Sequence, residues 1–353
     1  MKEVLVEDLE ENMVLAKPIE RANGTVLMYE GAILKAEHIE KIKENFIESV
    51  FISDEVKTGP QVYTVAAIKQ ESVEKIKDVI QHRIHTRNDD EMASISETAV
   101  NIISDVVNNV DVSNCMLNVK RESNDLYGHM LSVASLATIM GIKVGFSETQ
   151  LKDVCTGALL HDIGLTEVTT PFFDIEMDRM PAVEKLNYRR HVINGYERAQ
   201  SFDWCSDMVK NIILSHHERV DGSGYPFHKI AERIPIEVRL VAICDHFDEM
   251  VNGIGYKKRK IYEVVEYFRT SEAFLFDYDL LAQVTTTIAW FPTGSLIVTN
   301  EGEVAEIIQQ NSGLPDRPVI RIVKNADGSP CRENTIKDLT ECLTTFIVET
   351  AED

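Results

Sequence analysis

From Val65 to about Ile288, apolar residues recur at three- and four-residue spacing, the period of helices that each bury one stripe. VAAIKQESVEKIKDVIQHRI sets the pattern, and ISETAVNIISDVVNNV resumes it after the polar break TRNDDE. HMLSVASLATIMGIKVG is apolar nearly all round, as a helix at the centre of a bundle would be. SETQLKDVCTGALLHDIG opens with Ser-x-x-Gln, a capping-box pattern, and runs into a His-Asp pair. AVEKLNYRRHVINGYERAQ, CSDMVKNIILSHHER, PIEVRLVAICDHFDEMV and KIYEVVEYFRT continue the helical series. Such a run has one economical solution, a helix bundle around a shared core.

The flanks read differently. Before about Glu55, MVLAKPIE and TVLMYEG bracket ANGT, a hairpin signal. A short amphipathic helix is expected in AEHIEKIKENF, a strand in SVFIS and a linker in KTGPQ. After about Phe291, GSLIVTN, EVAEIIQQN, RPVIRIVKN and TTFIVET are strand-like, with NEG, NSGLPD and NADGSP between them. The fold class expected is therefore mainly α, with a small α/β N-terminal domain over 1–60, leading helices over 61–118, a helical domain over 119–288 and a small β-rich appendage over 289–353.

No stretch approaches twenty uninterrupted apolar residues, so no membrane association is expected. The acidic N-terminus lacks the order of a signal peptide, and six scattered cysteines form no CxxC pair, which points to reduced thiols and a cytoplasmic setting. The net charge of −22 disfavours nucleic acid as a partner. An anionic ligand would need local positive charge, which metal ions can supply.

Of ten histidines, His129, His161, His191, His216 and His217 fall in the helical region at helix ends or on helix faces. Asp162 directly follows His161, and Asp245 sits on the VAICDHFDEM helix. A bundle can bring such side chains together in its core. Mixed imidazole and carboxylate ligands suit Fe, Mn or Zn, and seven of them fit two metals bridged by a carboxylate. Two metals roughly 3.5–4 Å apart can activate a hydroxide and clamp a phosphodiester. The plain alternative for each histidine taken singly is a satisfied core or surface residue. Adjacent His216 and His217 would also point about 100° apart on a continuing helix. His38, His82, His85 and His228 are read as surface residues, and His246 as structural.

HDIG at His161–Gly164 and HHERVDGSGYP from His216 to Pro226 resemble the motifs of the HD-GYP domain, a branch of the HD phosphohydrolase superfamily that hydrolyses cyclic di-GMP. The resemblance covers roughly Val119 to Ile288. It implies an HD-type bundle holding two or three divalent transition metals, iron or manganese. By the resemblance, one metal would use His129, His161, Asp162 and Asp245, and the other Asp162, His191, His216 and His217. Asp162 would bridge them, and Asp162 with His161 would form the catalytic dyad. Some members hold a third metal through an acid four residues before the first histidine, where this chain has Asp125; a surface aspartate near a helix start is the equal alternative. Arg190, Gly224, Tyr225, Pro226 and Lys257 are the substrate contacts expected, and Arg189 is an equal alternative to Arg190. Glu218, Arg219 and Asp221 would fix the loop, and Gly222 and Gly224 would permit its tight backbone.

The resemblance implies hydrolysis of cyclic di-GMP to pGpG, with GMP as a further product, by a metal-bridging hydroxide. It also implies a signalling protein as a partner at the Gly-Tyr-Pro loop, and the signalling context suggests a homodimer. Two departures matter. The lysine of HDxGK is Leu165, and in the stretch matching D-A-L-T-x-x-R-P-Y-R-K the arginine is Ile254 and the proline Gly255. Arginine is the better bidentate phosphate ligand, so its loss weakens the grip on a phosphodiester. Two alternatives therefore stay open: a catalytically weak or inactive cyclic di-GMP receptor or adaptor, and a phosphodiesterase for another cyclic dinucleotide. An oxygen-activating di-iron oxidase is opposed by the Gly-Tyr-Pro stretch.

Overall fold

The computed structural model describes residues 125–351 except 312 and 332–334, the segments 94–109 and 116–118, and short pieces of residues 2–64. The expected linker KTGPQ, the ANGT turn and the helix over VAAIKQESVEKIKDVIQHRI lie outside the described residues.

Among the described N-terminal residues, strand β1 (Lys2–Leu5) pairs antiparallel with β4 (Ser49–Ile52), and β2 (Ile19–Glu20) with β3 (Val26–Met28). Val6, Leu9, Leu15, Leu34, Ile42 and Val50 form a small core of their own. The short strands β5 (Val62–Thr64) and β6 (Met116–Asn118) pair in parallel.

The helical domain follows. Helix α1 (Ser94–Asn109) precedes α2 (Leu126–Val144), the central helix, which packs on α3 (Glu148–Leu160) and α7 (Ile236–Asn252). Small and apolar residues cover α2 on nearly every side, so it is buried almost throughout. Asp125 caps its N-terminus by accepting from Gly128 N at 2.8 Å, and Gly145 ends it at φ 88°, a left-handed conformation that suits glycine. Ser147 and Gln150 form the expected capping box at the start of α3. Between α3 and α7 come α4 (Ala182–Arg189), α5 (His191–Ala199) and α6 (Asp207–Ser215); α8 (Ile261–Thr270) and α9 (Tyr278–Thr287) complete the bundle. The sequence predicts one helix across AVEKLNYRRHVINGYERAQ. The structure divides it at Arg190 (φ −69°, ψ −13°), which ends α4 and directly precedes His191.

The tail is an antiparallel sheet of five strands in the order β10-β9-β8-β7-β11, from β7 (Leu296–Thr299), β8 (Val304–Gln309), β9 (Val319–Lys324), β10 (Ile336–Asp338) and β11 (Ile347–Thr350). Alternation along β7, β8 and β9 buries Ile297, Ala305, Ile307, Ile320 and Ile322 on one face. Tyr262 of α8 stacks on Phe291 with ring centroids 5.2 Å apart, and Trp290 packs against both cores, so the sheet is seated on the bundle. The mainly helical fold with small β pieces at both ends is the one the sequence predicts. Among the described residues, no helix is long and apolar enough to cross a membrane.

Candidate metal centre

Each predicted ligand stands where a helix ends or where one face of a helix meets the core. Helix α3 stops at Leu160. His161 is still helical, whereas Asp162 turns out of the helix at φ −100°, ψ 13° into the 3-10 turn Ile163–Glu167. Neighbours in a continuing helix point about 100° apart; the turn lets both side chains face one place. Glycine is needed at position 164 because a Cβ there would overlap the His191 carbonyl and the Gly195 amide of α5. The close approach of this turn to α5 brings His191, the first residue of α5, onto Asp162.

Helix α6 likewise ends at Ser215, just before His216 and His217. The tandem pair thus escapes the divergence that an unbroken helix would impose, and its rings lie 4.3 Å apart. His129 comes from the first turn of α2, and Asp245 from the middle of α7.

The seven side chains are buried together. Asp162 divides its carboxylate. Oδ2 lies 3.4 Å from Nε2 of both His129 and His161, and Oδ1 lies 3.2 Å from His191 Nε2 and 3.7 Å from His216 Nε2. Asp245 Oδ1 is 3.1 Å from Nε2 of His129 and of His161. Two groups of close donors result: His129, His161, Asp162 and Asp245, and Asp162, His191, His216 and His217.

The far side of four of these rings is fixed. His161 Nδ1 donates to Ala158 O at 2.7 Å, His191 Nδ1 to Tyr188 O at 2.7 Å and His216 Nδ1 to Ile213 O at 3.0 Å. His129 Nδ1 donates to Asp248 Oδ2 at 2.7 Å. A carbonyl or carboxylate oxygen only accepts there, so Nδ1 carries the proton and Nε2 is left to face the cluster. His129 Nε2 and His161 Nε2 are 3.1 Å apart, and His191 Nε2 and His216 Nε2 are 3.3 Å apart. Converging imidazole nitrogens around carboxylate oxygens need a proton or a cation between them. Asp162 Oδ1 and Asp245 Oδ2 are buried without a hydrogen-bond partner among the described residues, and unsatisfied buried carboxylate oxygens are costly. The donor set fits divalent metals, and the cluster is consistent with two or three of them.

The electrostatics agree. Burial opposes the charged form of His161, yet Asp162 and Asp245 outweigh it and raise its pKa to about 10. His129 is raised in the same way, against burial, by Asp162, Asp245 and Asp248. His191 is pushed down to about 4 by burial and by the charge of His216, despite Asp162. Burial also lowers His217, and the neighbouring His216 adds to this. Asp162 and Asp245 are held well below the usual carboxylate range: burial resists their ionisation, but the surrounding histidines overcome it.

The loop HHERVDGSGYP closes one side of the cluster. Glu218, buried, accepts from Phe227 N at 2.7 Å and Lys229 N at 2.9 Å, which ties the loop's two limbs together. Asp221 accepts from Ser223 N at 2.9 Å, and Gly222 takes φ 82°. A Cβ at Gly224 would run into the backbone of His217, Glu218 and Arg219. The Tyr225 ring stacks on His217 at 4.7 Å, and the Tyr225–Pro226 bond is cis.

A pocket of about 80 Å³ opens beside the cluster, lined by Glu176, Met177, Arg189, His217, Arg219, Tyr225, Glu249 and Tyr256. Of the expected substrate contacts, Tyr225 lines it. Gly224 and Pro226 belong to the same loop, whereas Arg190 and Lys257 are not in the lining; the exposed Lys257 is 3.5 Å from Asp174 instead. Arg189, not Arg190, lines the pocket. Asp125 caps α2 and is not among the clustered donors. His246 is buried and structural as expected, with Nε2 2.7 Å from Glu272 and its ring stacked on Phe268.

Sequence reasoning assigned no role to Asp248 or Glu249. Spacing held the signal: Asp245, Asp248, Glu249 and Asn252 stand at i, i+3, i+4 and i+7, one face of α7.

Comparison with known proteins agrees with this geometry. A model described as "HD domain" matches residues 101–279, and one described as "KOW domain associated with HD domain" matches 296–352. A cyclic di-GMP phosphodiesterase of Pseudomonas aeruginosa is 27% identical over 63% of this chain and 56% of its own length. A 3'3'-cGAMP-specific phosphodiesterase of Vibrio cholerae is 26% identical over 47% of this chain and 30% of its own. This chain thus spans about half the length, or less, of these curated relatives. The fold is shared with an HDG"Y"P protein from Bdellovibrio bacteriovorus, at TM-score 0.54 and 16% identity over 80% of this chain and 98% of that one. With the HD model matching half of its length and the histidine and aspartate motifs converging on one buried cluster, the chain belongs to the HD domain family, in an HD-GYP-like arrangement.

Proposed function

We propose that the protein is a metal-dependent phosphodiesterase that hydrolyses cyclic di-GMP to pGpG, and onward to GMP. The observation that carries this is the division of Asp162 between two histidine pairs, Oδ2 toward His129 and His161 and Oδ1 toward His191 and His216. His129, His161, Asp162 and Asp245 would hold one divalent ion, and Asp162, His191, His216 and His217 the other. Iron and manganese suit this mixture of imidazole and carboxylate. When bound, such a pair supplies Lewis acidity toward a phosphoryl oxygen and a water acidified enough to be a nucleophile near neutral pH. The chain's own part is to hold the Nε2 atoms in place through their Nδ1 anchors and to shape the approach. Tyr225 presents a ring face and a buried hydroxyl at the pocket, and Arg189 lies 4.9 Å over that ring, a position from which its guanidinium can meet a phosphate.

A second reading is favoured by a specific observation. Leu165 and Ile254, which replace a lysine and an arginine of the resembling pattern, are buried at 2% and 1% exposure. Neither lines the pocket, and neither offers a charge to a phosphate. A domain short of two cations fits slow turnover, or a receptor that binds the nucleotide and signals through another protein. The relative that acts on 3'3'-cGAMP supports a different cyclic dinucleotide as a third variant of the same chemistry.

The test is hydrolysis by protein purified without oxygen and loaded with Fe(II) or Mn(II), using cyclic di-GMP and 3'3'-cGAMP in parallel, beside Asp162→Ala. Turnover of cyclic di-GMP that disappears in Asp162→Ala supports the phosphodiesterase. Metal-loaded protein that binds the nucleotide and leaves it intact supports the receptor. Turnover of 3'3'-cGAMP alone moves the assignment to that substrate.

A further inference from the structure

We propose that His217, Asp245 and Glu249 form a third divalent-cation site on the pocket side of the cluster. This rests on reading the histidine–aspartate cluster as a metal centre and adds a position to it. One donor atom from each residue lies within 4.8 Å of the other two, and all three residues are buried.

Asp245 carries the argument. Its Oδ1 is shared between His129 and His161, each at 3.1 Å, while its Oδ2 is buried with no hydrogen-bond partner among the described residues, 3.9 Å from His217 Nδ1. Asp162 shows the same division, and there the second oxygen faces a second pair of histidines. The orphaned Oδ2 of Asp245 lies toward His217, and Glu249 offers a donor atom within 4.8 Å of one from each of the two. The two carboxylates are therefore built alike, each joining the His129–His161 position to a further one.

Glu249 lies one turn beyond Asp245, on the same face of α7. Its carboxylate is held from outside: Oε1 accepts from Tyr188 Oη at 3.3 Å, and Oε2 is 3.2 Å from His246 Nδ1. Each oxygen keeps a lone pair for another partner. The hydroxyl of Tyr225, a residue of the pocket lining, is also buried without a partner among the described residues. The Arg219 guanidinium, in that lining too, donates to the His216 and Glu218 carbonyls. Two carboxylates and one imidazole make a donor set for Mn²⁺, Fe²⁺ or Zn²⁺. A neutral imidazole has one free lone pair, so in this arrangement His217 serves the third site and the second position keeps Asp162, His191 and His216. A cation there would also relieve the crowding of Asp162, Asp245 and Glu249 in one buried region.

This position differs from the one expected at Asp125, whose Oδ1 accepts from Gly128 N at the start of α2. In the pattern D-A-L-T-x-x-R-P-Y-R-K, matched from Asp248 onward, alanine stands where this chain has Glu249.

The test is metal content and anomalous diffraction on the full chain loaded with Mn²⁺, for wild type, Glu249→Ala and Glu249→Gln. The expected result is three peaks in the wild type, the third between Asp245 Oδ2, Glu249 and His217, with one equivalent lost in Glu249→Ala and the other two kept. Two peaks in the wild type, with water beside Asp245 Oδ2, overturn the proposal and leave the two-metal reading standing. Three equivalents retained in Glu249→Ala also overturn it. No bound metal overturns both. Should Glu249→Ala fail to fold, the wild-type map decides by itself and Glu249→Gln supplies the comparison.

Discussion

Asp248 accepts a hydrogen bond from His129 Nδ1 at 2.7 Å, and that carboxylate is itself held by Ser132 and by Asn252 Nδ2 at 2.8 Å. Asp248 thus sets both the tautomer and the direction of a ring whose Nε2 faces Asp162 and Asp245. Partners of this kind typically change metal affinity about 10–100-fold when removed. Asp248→Ala is expected to weaken binding by that range at the His129 position, measured by competition with a chelator. Unchanged affinity would show that packing alone orients His129.

The pH dependence of the metal-free protein follows from two opposed shifts. His161, raised from 6.5 to about 10, contributes stability that is complete below its unfolded value and lost as pH rises through about 10. His191, lowered from 6.5 to about 4, contributes stability present above its unfolded value and lost as pH falls toward about 4. The site's contribution is therefore expected to peak near pH 6.5 and decline on both sides. Divalent metal displaces the His161 proton, so metal affinity should rise with pH. Denaturant titrations between pH 4 and pH 10, with and without Mn²⁺, check both statements. A metal-free protein whose stability climbs steadily through the alkaline range would contradict the first.

Gly164→Ala places a Cβ against the His191 carbonyl and the Gly195 amide, backbone atoms with no flexible end to move aside. A cost on the order of 3 kcal/mol is expected, as for overpacking elsewhere. The metal position shared by Asp162 and His191 should weaken at the same time. Chemical denaturation and a metal titration on one variant read the two effects together. Wild-type values in both would mean that the turn and α5 are less closely apposed.

Arg189 lines the pocket and Arg190 does not, which the proposed function turns into a kinetic contrast. A charge-assisted hydrogen bond to phosphate is worth roughly 1.5–3 kcal/mol, about 10–100-fold. Arg189→Ala is expected to raise KM by that factor with metal content intact, and Arg190→Ala to leave KM near wild type. Equal effects would place the phosphate elsewhere.

The bundle and its cluster were legible because helical spacing and rare residue types carry independent information. His161–Asp162 and His216–His217 stand out as pairs, and the structure shows why pairs work: both sit where a helix has just ended, so the divergence expected of neighbours does not apply. The break at Arg190 was not legible, since no proline or glycine marks it and both halves keep the helical period. Of the two adjacent arginines there, Arg189 lines the pocket. Asp125 illustrates a different ambiguity. An aspartate four residues before a histidine fits a shared helix face and fits a cap equally well; here its Oδ1 accepts from Gly128 N, as a cap does. Glu249 was missed because a charged residue on a helix ordinarily signals solvent, whereas α7 is buried over most of its length.

The Nδ1 anchors behind His129, His161, His191 and His216 bear on how the centre would acquire its ions. A site that must fold around its ion can reject a wrong one by failing to form. Here three rings are pinned by backbone carbonyls and one by a braced carboxylate, all within the folded bundle. Contacts of the bundle itself thus fix the donors' directions, and imidazole with carboxylate accepts several first-row metals. Discrimination then passes from the protein to its surroundings, to whichever metal is in supply and how quickly a misplaced one is exchanged.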